Sequence, residues 1–514
     1  MAVTDAVLAL DLSSSGVRAR AHSRALTVVA ERSVDLATRV GADGASSHDL
    51  AAMLAAVREV VRPLAADPRL RIVALVASGT ASSLAVARLG GGPPEPLSEV
   101  LLWSDSRAMS HYPELADDLA AAYDRTLCPP DVSYWPAKLR YLADRDGLAD
   151  RDGLADRDGL ADRDGLAGGV VAGAKDLVFA WLTGLLWTDP MSAASTGMFD
   201  SAAWRWDAAL LDRAGITADR LPELHEAVES APLIPAAARD LGLPAGLPVT
   251  VGGMDGPLTQ LGAAGTRERT ASCTIGTSIA VRAGSARRRT DPARRTWCYP
   301  VTRGFWVIGG AGSNGGNLFT WLRDKIGLAA TIAELADLAF SVPPDPDLTF
   351  VPYLHGERAP LWRSDLRAAF IGLGPHHSSA DLTRAVLDGL AASVLELAEA
   401  VESVAGAPER VVFTGGLIRD ARWVQLMTDA LGVPAAVPEP EEATSVGAAM
   451  LAWAAVQDIP VPEVFTPGLE PAAPPDPRVH ESLRAAAARL AELRRVLWPS
   501  SGETTSGETT SERD

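Results

Sequence analysis

Two stretches carry residue types suited to phosphate chemistry. In the first, apolar Val249 to Val251 meets Gly252 and Gly253, then Met254, Asp255 and Gly256; Leu258, Leu261 and Ala263 continue at helical spacing. An aspartate at a helix start after a strand faces partial positive charge and stays ionised. Ten residues on, Ser272 to Ile275 and Ile279 to Val281 read as strands around the turn Gly276, Thr277, Ser278. That turn offers backbone N–H groups and hydroxyls to phosphate oxygens. A carboxylate beside a phosphate cradle is what phosphoryl transfer to a hydroxyl requires. Taken alone, the same residues also read as an N-cap and an ordinary hairpin.

The second stretch has the same design. Val7 to Leu12 is a buried-strand pattern with Asp11 at its end, followed by Ser13, Ser14, Ser15 and Gly16, and Val17 to Ala21 resumes as a strand. Three loops could line a cleft. Trp103, Asp105 and Arg107 follow a short strand; exposed ion pairing is the competing reading. Gly309 to Asn317, containing Gly315, opens a helix and suits an anion. Gly356 to Pro360 holds Glu357 and Arg358, either as mutual support or as ligand contacts. The strand Arg410 to Thr414 ends in Gly415 and Gly416, which leave room for a base or ribose.

These residues need two sets of strands and helices to position them. Helices are expected at His48 to Leu64, from Lys175 (KDLVFAWLTG, amphipathic), after Asn317, at Trp423 to Leu431 and at Val479 to Leu497. Ser378 with Asp381 forms a capping-box start, and Leu382, Val386, Leu390, Val394, Leu397 and Val401 make one core stripe. Gly447, Ala448 and Ala449 suit close packing in a helix over Ala443 to Val456, whereas Trp204 and Trp206 fall in a loop. Residues 143–166 are four copies of ADRDGL, a surface insertion that buries little. The expected divisions are a lobe over 1–248, a lobe over 249–460, a linker and terminal helix over 461–498, and a disordered SGETT-repeat tail over 499–514.

At 514 residues the chain is long enough for two cores, and a formal net charge of −18 argues against nucleic acid or an anionic membrane as main partner. Cys128, Cys273 and Cys298 lack metal-ligand spacing and suit a reducing compartment. Asp5 precedes a short apolar run, unlike a secretory signal, so the expected location is cytoplasmic.

The order and spacing of DLSSSGVRA, WSDSRA, KDLVFAWLTG, GGMDG, TIGTS, WVIGGAGSNGGN, FVPYLHGERAPLW, TGGLIRD and ATSVGAAML resemble the FGGY family of carbohydrate kinases over roughly residues 5–458. CYPVTRGFWVIGGAGSNGGNLFTWLRD and YLHGERAPLW are most similar to its gluconate-kinase branch. The resemblance implies an α/β fold: two ribonuclease-H-like lobes of the actin/Hsp70 ATPase type, with a cleft between them. It implies ATP and Mg²⁺, a small sugar or sugar-acid substrate, and leaves room for a homodimer. Asp255 matches the catalytic base, which also contacts the substrate, and Asp11 the aspartate that holds Mg²⁺. Ser14 and Ser15 match the first phosphate turn; Gly276, Thr277 and Ser278 match the second. Gly315 and Asn317 lie near phosphates and adenosine, and Gly415 and Gly416 match the adenosine motif. Trp103, Asp105, Arg107 and Arg358 fall among the sugar-binding residues. Gluconate phosphorylation is the leading expectation. A xylulokinase-like pentulose kinase and a non-catalytic sugar- or ATP-binding protein are the alternatives. Two departures stand out. Ser13 replaces the family's usual Gly, crowding the turn or adding a donor, and Ser82 replaces a His, removing a sugar contact.

Overall fold

The computed structural model describes residues 3–145, 169–439, 442–461, 468–471 and 474–499. Most of the ADRDGL block and the SGETT tail lie outside the described residues.

Each lobe is built on one mixed sheet. The first, six-stranded, runs Ser230–Pro232, Pro248–Met254, Leu70–Gly79, Thr4–Ser13, Gly16–Ser23, Val28–Asp35. The second, seven-stranded, runs Trp297–Thr302, Phe305–Ala311, Ile279–Ser285, Thr270–Ile275, Arg410–Thr414, Ala435–Glu439, Gly468–Pro471. Both contain the same unit: a hairpin whose first strand, Thr4–Ser13 or Thr270–Ile275, pairs antiparallel with its successor and parallel with a later strand. The two phosphate-type turns are the tips of these equivalent hairpins.

The strand from Pro248 corrects the expected lobe boundary. It pairs in parallel with Leu70–Gly79, and so completes the first sheet instead of opening the second. Val249 and Val251 fill the first core, where burial of apolar side chains outweighs any local signal of a new domain. The helix Asp255–Ala264 then leads toward the second lobe and packs on the helix Ala443–Gln457. These helices touch backbone to backbone. A Cβ at Gly262 would lie 1.8 Å from Ala443 O, and one at Gly447 would lie 2.1 Å from Leu258 O.

Two local expectations change. The helix Ala174–Thr183 is buried on every side rather than amphipathic, because it is enclosed by the first sheet and the helix Pro235–Leu241. Its Lys175 Nζ lies 2.7 Å from Asp176 Oδ1 and 3.0 Å from Asp189 Oδ2, which supplies the pairing a buried ammonium needs. Trp206 belongs to a short strand paired with Phe199–Asp200, while Trp204 lies in the turn before it. The capping box forms as read, with Ser378 N and Oγ both donating to Asp381 Oδ2, and it starts the 27-residue helix Ser379–Ala405. No helix among the described residues is long and apolar enough to cross a membrane.

Candidate active site

Strand register brings the two aspartates together. Asp11 is level with Ser78, and Ser78 with Gly253, so Asp255 sits just past the same edge of the first sheet. Met254 ends its strand and Asp255 begins a helix, where the carboxylate Oδ1 accepts from Gly256 N at 2.7 Å. Burial pushes the Asp255 carboxyl up to about 6; the Arg282 guanidinium opposes this and the Asp11 charge adds to it. The helix start alone therefore does not hold it at an ordinary value. A carboxylate titrating near 6 is ionised at neutral pH yet basic enough to accept a proton.

Asp11 Oδ1 accepts from Ser78 Oγ at 2.9 Å, and its Oδ2 lies 3.7 Å from Arg18 Nη1. Burial raises its pKa. Arg18 also ties the hairpin tip, donating to Ser13 Oγ at 3.2 Å and Ser15 Oγ at 3.1 Å. Ser13 Oγ donates to Gly16 O at 3.0 Å, so the hydroxyl at the unusual position closes the turn without crowding it. Ser14 and Ser15 are exposed, and the Ser14 carbonyl accepts from Thr38 Oγ1 at 3.1 Å and His48 Nε2 at 3.2 Å.

The nucleotide-side candidates converge. Gly276 N donates to Ser278 O at 3.0 Å, closing the second turn, and Thr277 is exposed at its tip. The Gly309–Asn317 loop docks on that turn: Gly316 N donates to Gly276 O at 2.8 Å and Asn317 N to Thr277 O at 3.1 Å. Asn317 shapes the loop with its amide, which accepts from Gly315 N at 2.8 Å and donates to Ser313 O at 2.9 Å. Gly415, at φ +97, lies against the same hairpin; a Cβ there would meet Ile275 O at 2.6 Å. Gly416 opens the short helical turn that follows.

On the substrate side the candidates divide. Asp105 and Arg107 are committed to each other. Arg107 Nη2 donates to Asp105 Oδ2 at 2.6 Å, its Nε reaches both oxygens at 3.1 Å, and its Nη1 reaches Glu99 at 3.1 Å. Asp105 also caps Ser46 N at 3.0 Å. The pair therefore builds the loop, in line with the competing reading of ion pairing, although the pair is buried and not exposed. Trp103, on the same loop, meets the second lobe: the Arg358 guanidinium lies 4.0 Å from its ring centre. Arg358 Nη2 donates to Gly312 O at 2.8 Å, while its buried Nε has no acceptor among the described residues. Glu357 braces the loop from beneath, accepting from Arg358 N at 2.9 Å and Asn314 Nδ2 at 3.1 Å; burial pushes its carboxyl up to about 7. Ser82 does not replace the missing His. At φ +53 it is turned inward, bonded through N and Oγ to Ser195.

Three residues escaped the sequence reading. Arg18 and Arg282 sit on second hairpin strands; Arg18 is the cross-strand partner of Asp11, a signal the hairpin register carried, whereas the approach of Arg282 to Asp255 has no such local sign. Lys138 is fully buried and donates to Ser82 O at 2.9 Å and Leu102 O at 2.8 Å, joining the loops that carry Ser82 and Trp103; burial lowers it to about 7. Its rarity was a signal, since lysine occurs only at 138, 175 and 325.

The donor set suits a hard divalent cation. Two carboxyl groups, whose proton affinity burial raises, lie at the same end of the first sheet and offer oxygen ligands.

The N-terminal domain of the FGGY family of carbohydrate kinases matches residues 6–262, and its C-terminal domain matches residues 271–456. A gluconokinase of Bacillus subtilis is 34% identical over 292 residues, covering 54% of this chain and 57% of that protein, so the match spans little more than half its length. A glycerol kinase of Saccharopolyspora erythraea is 29% identical over 377 residues, covering 70% of this chain and 72% of its own. Crystal structures of a ligand-bound xylulose kinase and a gluconate kinase, both from Lactobacillus acidophilus, superpose with TM-scores of 0.85. Their identities are 24% and 23%; each comparison covers 96% of this chain, with 99% and 98% of the respective neighbour.

Proposed function

The chain belongs to the FGGY family of carbohydrate kinases, and on that footing we propose that it phosphorylates a hydroxyl of a sugar acid at the expense of ATP, with gluconate as substrate and 6-phosphogluconate as product. One observation carries the reading: Asp255, half-buried and titrating near 6, lies beside Asp11 at the sheet edge bearing the first phosphate-type hairpin. Asp255 takes the proton from the substrate hydroxyl as that oxygen attacks the γ-phosphorus, and ADP leaves. Ser14 and Ser15 on one hairpin, and Gly276, Thr277 and Ser278 on the other, grip the phosphates. Gly315, Asn317, Gly415 and Gly416 form the adenosine side. Asp11 would hold Mg²⁺, which when bound neutralises phosphate charge.

The sugar-acid choice rests on Arg358. Its guanidinium stacks on Trp103 of the facing loop, and a guanidinium held flat in this way suits a carboxylate. A pentulose kinase is the second reading, since a xylulose kinase shares the fold as fully as a gluconate kinase does. A non-catalytic regulator would have no use for a base at Asp255. An ADP-release screen over gluconate, xylulose, ribulose and glycerol separates these. Gluconate should give the highest kcat/KM. A pentulose in first place would establish the alternative, and no release with any acceptor would end the kinase reading.

A further inference from the structure

Arg282 is the charged group whose position this mechanism leaves unexplained. It lies on the strand Ile279–Ser285, is 9% exposed, and turns toward the start of the Asp255 helix. A Cβ added at Gly256 would lie 3.4 Å from its Nε and 3.8 Å from its Nη2. Its Nη1 donates to Thr274 Oγ1 at 2.9 Å, and Thr274 Oγ1 is 2.8 Å from Thr414 Oγ1, just ahead of Gly415. Nε is buried with no acceptor among the described residues.

This is a costly place for a guanidinium. Burying a charge against a neutral hydroxyl leaves most of its desolvation unrecovered. The positive end of a helix repels it further. Arginine does not escape by losing its proton. Asp255 supplies one negative charge within electrostatic reach, yet no ion pair closes between the two. Asp255 must serve as a base, and Asp11 is already held by Ser78 and Arg18, so neither carboxylate closes an ion pair with the Arg282 guanidinium.

We propose that Arg282 is a catalytic residue: its guanidinium takes an oxygen of the transferring phosphoryl group and offsets the charge that gathers there in the transition state. This rests on the kinase reading, because the reaction brings a phosphoryl group to Asp255. A preorganised donor in a dry site acts mainly on the transition state, so the rate and not the binding should depend on it. The Thr274–Thr414 link fixes the guanidinium against both the second hairpin and the strand leading to the adenosine turn, which gives it one orientation.

The test compares Arg282→Ala, Arg282→Lys and Asp255→Asn in the full chain with MgATP and the best acceptor from the screen. Arg282→Ala should lose about 10²-fold or more in kcat, while KM for ATP and for the acceptor move by less than about threefold. Added guanidinium ion should restore part of the Arg282→Ala rate and none of the Asp255→Asn rate. Arg282→Lys keeps the charge but not the fork, and should bind ATP normally with kcat down about tenfold or more. The proposal is overturned if the Ala variant keeps kcat within about threefold or loses only KM. It is equally overturned if the Ala variant does not fold and the Lys variant turns over at the wild-type rate. If wild-type and Asp255→Asn behave as the mechanism requires while Arg282→Ala stays active, only this inference fails. If the wild type releases no ADP with any acceptor, the kinase reading fails first.

Discussion

Replacing Asp255 by Asn removes a charge and keeps the shape, so its effects on rate and on stability should point in opposite directions. The Asn Oδ1 can still accept from Gly256 N, as the carboxylate does at 2.7 Å. Burial lifts this carboxyl from its ordinary 3.8 to about 6, so the folded protein holds the proton more tightly than the unfolded chain does. Ionisation therefore opposes folding. The penalty is absent below about pH 4, grows between about 4 and 6, and is complete above that. Its size above pH 6 is about 3 kcal/mol. With about 2 cal/mol/K of unfolding entropy per residue over 514 residues, this corresponds to about 3 °C in Tm if the lobes unfold together. The assay is paired: ADP release at saturating substrates, and thermal unfolding at pH 8 and pH 4. Asp255→Asn should lose about 10²- to 10⁴-fold in kcat, gain about 3 °C at pH 8, and gain nothing at pH 4. Wild-type turnover would falsify the base assignment. An inactive variant that is also less stable at pH 8 would show that the carboxylate is a structural anchor.

Other substitutions separate roles that the sequence left merged. Arg358→Met should raise KM for gluconate about tenfold or more while leaving KM for ATP in place, because a charge-assisted hydrogen bond is worth about 1.5–3 kcal/mol; steady-state kinetics with each substrate varied decides it. Arg107→Met strips the partner from buried Asp105 and should destabilise the first lobe by about 3–5 kcal/mol, read by urea unfolding. Gly447→Val sets a side chain against Leu258 O, so soluble yield and Tm should fall sharply, whereas the same change at exposed Gly416 should spare stability and weaken ATP binding. Chelation of divalent metal should abolish ADP release and reduce the thermal shift produced by ATP, and full activity in excess chelator would remove Asp11 from the metal role.

The amino-acid sequence determined the parts of this protein that are local. A hydroxyl-rich turn between two apolar runs is legible because hairpins need only near neighbours, so both phosphate-type tips were placed from Asp11 to Gly16 and from Thr274 to Ser278. The stripe from Leu382 to Val401 was legible for the same reason, since helical periodicity is set within a few turns. What the tertiary structure decided was everything settled by strand neighbours and charge partners distant in the chain. The run at Pro248 reads as the start of a lobe, yet it closes the first sheet because Leu70–Gly79 offers the free edge. Asp105 and Arg107 carry the charges of a binding loop, yet they satisfy each other where water is excluded. Arg282 looks like one more strand residue until the helix after Met254 is folded against it. Hydrophobic pattern is written residue by residue, but a buried charge takes its meaning from the single partner that the fold brings within reach, and that pairing has no local signature.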